Sequence, residues 1–398
     1  MSIRLWGDGV HDDTASLQEL IDTAKHELIL PDPEVCYLIS SPLLLPSDFR
    51  LVLPRFAEVR LAPNSNCLML RNKPTPGLNP PHDQIAPILW DYLCGYSPEQ
   101  RARNIEVVGG IWNFNNKDQA PNPLYSHNYY PTGQFYSGML MNFVYVDGLR
   151  ISSLTLKDPA NFAVTLDSVT HFTVDHITFD FNYGNPIAVN MDGIHVDGGC
   201  KFGEIYDLKG ACYDDLVALN ADESTAGPIS DISIHGIYAD DCHSAVRLLS
   251  ANYPVTNVHI SDVFGTFYQY TVGITRFYES KDRGFFDGIT LDRIYASKAE
   301  RIDVYGKKGG YVYAPIWIQS GLLIQSLRIS EFHRREKITP VESIYISEGT
   351  EIRDLVLDHI TTENQAGGEM PLLVNKGDIR HLSASNLFQD GKPLDLSL

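Results

Sequence analysis

The chain has 398 residues, 43% hydrophobic and 20% charged, with a formal net charge of −19. That composition supports a large core. The acidity speaks against nucleic acid, whose phosphates need a Lys/Arg surface, and against anionic membranes, and no stretch is apolar for long enough to cross a bilayer.

In chain order, Met1 to Asp8 lacks the apolar core of a secretion signal. The expected location is cytoplasmic with free thiols, or secreted if a signal has been removed. The six cysteines form no CxxC pair, so no zinc or redox centre, and no metal or cofactor, is expected. Asp8 and Gly9 suit a turn. Asp12, Asp13 and Thr14 offer helix N-caps, and Ala15 to His26 places Leu17, Leu20 and Ile21 on one face. This reads as a short capping helix in an N-terminal cap, residues 1–30, covering an otherwise open sheet edge.

Residues 112–136 interrupt the pattern with Trp112, Phe114, Tyr125, His127, Tyr129, Tyr130, Phe135 and Tyr136. A long aromatic loop on a rigid scaffold reads as the wall of a substrate cleft; the plainer alternative is a loop packing its own side chains. From about residue 145 one phrase recurs: a turn residue, then alternating apolar positions. Examples are Ser230-Asp231-Ile232-Ser233-Ile234, Thr256-Asn257-Val258-His259-Ile260 and Asp287-Gly288-Ile289-Thr290-Leu291. Copies return at roughly 23- to 38-residue intervals, as in solenoids, and period-two alternation means strands. The expected fold is all-β: a single-stranded right-handed parallel β-helix (solenoid), with residues 1–398 as one domain.

Three aspartates end short apolar runs on two neighbouring repeats: Asp192 in Asn190-Met191-Asp192-Gly193, and Asp214 with Asp215 before Leu216. A lone Asp at a strand end commonly caps a turn. Three at this spacing point instead to clustered carboxylates, the equipment of glycosidic-bond hydrolysis. Asp240 and Asp241 form a second pair one coil later, either a turn cap or a possible alternative acidic pair.

The run Gly7-Asp8-Gly9-Val10-His11-Asp12-Asp13-Thr14 resembles the opening of many pectate-lyase-like β-helix proteins. Asn190-Met191-Asp192-Gly193 resembles the Asn-Thr-Asp-Gly motif of polygalacturonases, the pectin-cleaving family 28 glycoside hydrolases, and Asp214-Asp215 resembles their Gly-Asp-Asp-Cys. Met191 replaces Thr, Tyr213 replaces Gly and Leu216 replaces Cys. Cys242-His243-Ser244 is a loose counterpart of the family's Gly-His-Gly. Gly273-Ile274-Thr275-Arg276 approximates its Arg-Ile-Lys, with Lys281 near.

The resemblance implies an inverting hydrolase of a pectin-type or related polysaccharide or oligosaccharide. Asp192 or Asp215 would be the acid, and Asp214 with a partner would activate water. Asn190, His243, Arg276, Trp112, Tyr130 and Tyr268 are the expected substrate-binding residues. Tyr270 and Tyr278 would line the far side, and Arg247 on an alternating strand is a further candidate. The expected partner is a carbohydrate; oligomeric state is not fixed. Two other readings stand beside it: a calcium-dependent polysaccharide lyase, disfavoured because no Arg or Lys has an obvious place beside these aspartates, and a non-catalytic carbohydrate-binding β-helix.

Overall fold

The computed structural model describes residues 3–75, 93, 95–126, 138–300 and 312–396. Among these residues the strands form two long sheets, one of 18 strands and one of 11. Neighbouring strands run parallel, as Ile194–Asp197 does beside Asp215–Asn220. Only the closing strand, Lys392–Pro393, folds back antiparallel. The chain therefore coils, adding to each sheet in turn, and the expected parallel β-helix is what forms.

Alternation explains the stack. Val164, Ile194, Val217, Val246 and Val272 lie in register across the 11-stranded sheet. Ile205, Ile234, Ile260, Leu291, Ile329 and Leu357 do so across the larger one. All are fully buried, and burying one such side chain contributes about 1.5–3 kcal/mol.

The long strands change phase midway. In Thr170–Asp180 the inward positions run Phe172, Val174, then Ile177 and Phe179. The break falls at His176, which has positive φ. Its successors one coil apart, Asp207, Gly236, Asp262, Arg293, Glu331, His359 and Asn386, all have positive φ. This left-handed residue, repeated coil after coil, turns each long strand round a corner of the column.

The N-terminal helix spans Thr14–Thr23 and buries Leu17 and Ile21, with Leu20 partly covered. It stops short of His26 because Glu27–Ile29 becomes a strand beside Phe49–Val52. Asp13 makes no side-chain cap; its carboxylate instead accepts the Trp6 and Gly7 N–H groups at 2.6 and 2.9 Å. Gln18 covers the open edge of the 11-stranded sheet. Its amide accepts Leu44 N–H at 2.8 Å and donates to Leu44 O at 3.1 Å. No helix among the described residues is long and apolar enough to cross a membrane. Cys36, Cys67, Cys200, Cys212 and Cys242 are free thiols, with the Cys212 and Cys242 sulfurs 3.6 Å apart.

Candidate active site

Asp192, Asp214 and Asp215 meet at one corner, where long strands hand over to the 11-stranded sheet. Asp192 lies one residue, Gly193, before Ile194–Asp197, and Asp215 opens Asp215–Asn220. Gly193 N–H donates to Asp215 O at 3.0 Å, which sets Asp192 beside Asp215; neighbouring strands are about 4.8 Å apart. Only glycine fits at 193, since a Cβ there would lie 2.5 Å from Leu216 O and 2.7 Å from the Phe179 ring.

Asp215 is fully buried. Its Oδ1 accepts Ser244 Oγ at 2.5 Å and Tyr270 OH at 3.0 Å, and its Oδ2 lies 2.9 Å from Arg247 Nε. Burial opposes the Arg247 charge, but Asp215, Tyr270 and Glu223 hold the guanidinium protonated. Asp214 is 7% exposed, with Oδ1 3.6 Å from His243 Nδ1. His243 Nδ1 also meets Ser244 Oγ at 2.9 Å, and Tyr268 packs edge-on against the ring. The His243 imidazole is pushed down to about 4, chiefly by burial, so it is neutral near pH 7.

Asp192 is 1% exposed. Burial first, then the Asp214 charge, raises its pKa to about 7 against the opposing pull of His195. Its Oδ2 meets His195 Nδ1 at 2.8 Å. His195 Nε2 lies 2.8 Å from Glu223 Oε2, and Tyr278 OH donates to Glu223 Oε1. A chain of polar contacts thus runs from Asp192 to Tyr278, which is 43% exposed. Phe162 stacks on His195 with centroids 3.8 Å apart.

The other expected site residues scatter. Asn190 is half-buried in a left-handed turn just before Met191. Arg276 is not free to grip a carboxylate: its guanidinium donates to Ser280 O, and its backbone N–H to Gln319 at 2.7 Å. Trp112 is no cleft wall. Strand Ile111–Asn113 pairs with Thr155–Lys157 as part of the coil, so alternation turns Trp112 fully into the core, where Nε1 donates to Gly109 O at 3.3 Å. Tyr130, with His127, Tyr129, Phe135 and Tyr136, lies outside the described residues. Asp240 and Asp241 are exposed near the end of the following long strand, Ile229–Cys242. Asp240 accepts Thr266 Oγ1 at 2.5 Å, and that hydroxyl accepts Asp241 N–H at 2.9 Å, a turn cap apart from the acidic cluster.

Arg247, a candidate from its alternating strand, stands beside Asp215, where no Arg or Lys was expected. His195 and Glu223 escaped notice altogether, yet Ile194 and Val196 alternate with His195 and Asp197, a period-two signal that puts both polar side chains on the outer face.

No family model matches the chain, and no curated protein sequence does. Solved structures match throughout its length. The family 28 exopolygalacturonase of Yersinia enterocolitica is 14% identical, with a TM-score of 0.55, over 98% of this chain and 78% of that one. The endo-xylogalacturonan hydrolase of Aspergillus tubingensis is 13% identical, with a TM-score of 0.56, over 97% of this chain and 91% of that one. A mutant tailspike protein of E. coli bacteriophage HK620, in complex with a pentasaccharide, is 11% identical with a TM-score of 0.68, over 95% of this chain and 62% of that one. The chain shares the parallel β-helix fold of these proteins.

Proposed function

We propose that this protein is a glycoside hydrolase that cleaves a pectin-type or related polysaccharide or oligosaccharide by an inverting acid/base mechanism. The observation that carries the reading is the convergence of Asp192, Asp214 and Asp215 from two adjacent coils onto one corner. Asp215 is engaged by Arg247, Ser244 and Tyr270. Asp192 and Asp214 are left to divide the acid and base roles, and crowding of like charges favours one proton between them. Water attack on the anomeric carbon breaks the glycosidic bond; one carboxyl protonates the leaving oxygen and the other takes the water proton. Phe277 and Tyr278, 48% and 43% exposed, offer aromatic surface to a sugar beside the site.

Arg247 also bears on the lyase reading. An eliminating enzyme needs a base, and a guanidinium held protonated by Asp215 is a poor one. The near-complete burial of Asp192 and Asp215 favours a second reading, a β-helix that binds a glycan without cutting it. Reducing-end assays over pectic, rhamnogalacturonan and neutral glycans test the proposal. New reducing ends, abolished by Asp214→Asn, support hydrolysis. A product absorbing in the ultraviolet would mean elimination, and binding without new ends would leave only recognition.

A further inference from the structure

Next to the three aspartates, four donor groups converge from two coils. His195 and Asp197 come from Ile194–Asp197, Asn220 ends Asp215–Asn220, and Glu223 lies on the following turn. Asp197 and Asn220 are register neighbours. His195 Nε2 lies 2.8 Å from Glu223 Oε2, 3.0 Å from Asn220 Nδ2 and 3.4 Å from Asp197 Oδ1. Asn220 Nδ2 lies 2.9 Å from Glu223 Oε2. His195, Asp197 and Asn220 are fully buried, and the Glu223 side chain is 15% exposed.

Hydrogen bonds alone leave this cluster unsatisfied. Nε2 carries at most one proton, yet it faces two carboxylates and an amide N–H. With the proton, it bonds Glu223 and confronts the Asn220 donor; without it, Glu223 confronts a lone pair. In either state neither oxygen of Asp197 has a hydrogen-bond partner, nor has Asn220 Oδ1. Asp167, on the strand next to Asp197, can share a proton with one Asp197 oxygen. Oδ1 has only the His195 ring, 3.4 Å away and outside hydrogen-bond geometry, and a buried carboxyl so poorly partnered is costly.

A metal ion removes the conflict. Nitrogen and oxygen donors sit about 2.0–2.2 Å from a zinc-sized ion, which places neighbouring donors about 2.9–3.5 Å apart. The spacings from His195 Nε2 run from 2.8 to 3.4 Å, and the His195, Asp197 and Glu223 donor atoms all lie within 4.8 Å of one another. Turning the Asn220 amide by half a revolution exchanges its N and O and presents the orphaned oxygen to the same point. The surroundings fit as well. Asp192 accepts from Nδ1 and so fixes the tautomer that frees Nε2, and Tyr278 fixes Glu223; metal-binding histidines are held in this way.

We propose that His195 Nε2, Asp197 Oδ1, Glu223 Oε2 and the Asn220 amide oxygen bind one first-row divalent cation of the zinc or manganese class. One imidazole with oxygen donors suits such ions better than magnesium, which prefers oxygen alone. The site shares Asp192 and Tyr278 with the proposed hydrolytic centre, neither of them as a ligand, and stands without that reading.

The test uses the full chain stripped with chelator, titrated with Mn2+ followed by electron paramagnetic resonance and with Zn2+ followed by calorimetry. One ion per chain and a raised Tm are expected, with affinity falling at least about tenfold in Asp197→Asn and His195→Gln. Metal-free Asp197→Asn replaces a poorly hydrogen-bonded buried carboxyl with a neutral amide of the same shape and is expected to be at least as stable as the parent, so a loss of binding there is not a loss of fold. No stoichiometric uptake of either ion, or uptake unchanged by Asp197→Asn and Glu223→Gln, overturns the proposal. None of these readouts uses turnover, so absent glycosidase activity would count against the hydrolase reading alone.

Discussion

Arg247 and Asp215 face each other on neighbouring strands, with Nε 2.9 Å from Oδ2, although the N–H is not aimed along a hydrogen bond. Asp215 is fully buried, and the Arg247 side chain is 16% exposed. Removing one partner of a buried pair leaves an uncompensated charge. Arg247→Met is therefore expected to destabilise the fold by about 3–5 kcal/mol, measured by urea denaturation. The double variant Arg247→Met/Asp215→Asn should recover part of that loss, and strictly additive costs would show that the two residues do not interact.

Asp192→Asn and Asp214→Asn keep side-chain shape and remove acid/base capacity. Each is expected to lower kcat by about 10²–10⁴-fold on whichever glycan the assay identifies. Circular dichroism and Tm should stay close to the parent. Asp240→Asn, which alters only a turn cap, should leave kcat unchanged; an equal loss there would move the centre to the other acidic pair.

Stability should depend on pH through His243. Its folded-state pKa is pushed down to about 4, chiefly by burial, whereas an unfolded histidine titrates near 6.5. Between these values the unfolded chain binds a proton that the folded chain refuses. Stability is therefore lost as the pH falls from about 6.5 to about 4, by on the order of 3 kcal/mol. His243→Gln should flatten that part of the profile in denaturation experiments across the range.

Two glycines on the long strands separate conformation from crowding. Gly236 has φ +68°, and an added Cβ would find its nearest neighbour, Asp207 N, at 3.3 Å. Gly236→Ala should cost only the left-handed conformation, about 1–2 kcal/mol. At Gly265 a Cβ would lie 1.8 Å from Ala239 O. Gly265→Ala must displace backbone and should cost more than Gly236→Ala; equal melting temperatures would contradict this.

The architecture was legible because its cause is local. Alternating Ile and Val at coil-length intervals can bury themselves only against copies of the same phrase, and turn residues mark the bends. The three aspartates were legible for the same reason, as successive turns must stack. What failed was the assignment of direction. Trp112 follows the alternation inward, and its aromatic neighbours in sequence disguised that. Arg276 answers to Ser280 and Gln319 in its own loop, contacts no repeat pattern reports. Asp240 and Asp241 occupy the same stretch of coil as a catalytic pair would, but a threonine one coil on takes them up. Donors at 195, 197, 220 and 223 show no metal-ligand spacing along the chain, because a parallel register brings them together.

The left-handed residue that recurs at this corner of each coil, from His176 to Asn386, has a consequence for how such a protein can vary. Those hinges fix the turn of every storey independently of what the hinge side chain is, since His, Asp, Gly, Arg, Glu and Asn all serve. Storeys far from Asp192 could be added or removed without retuning the carboxylates. The length of the column is then set separately from the corner that holds the three aspartates.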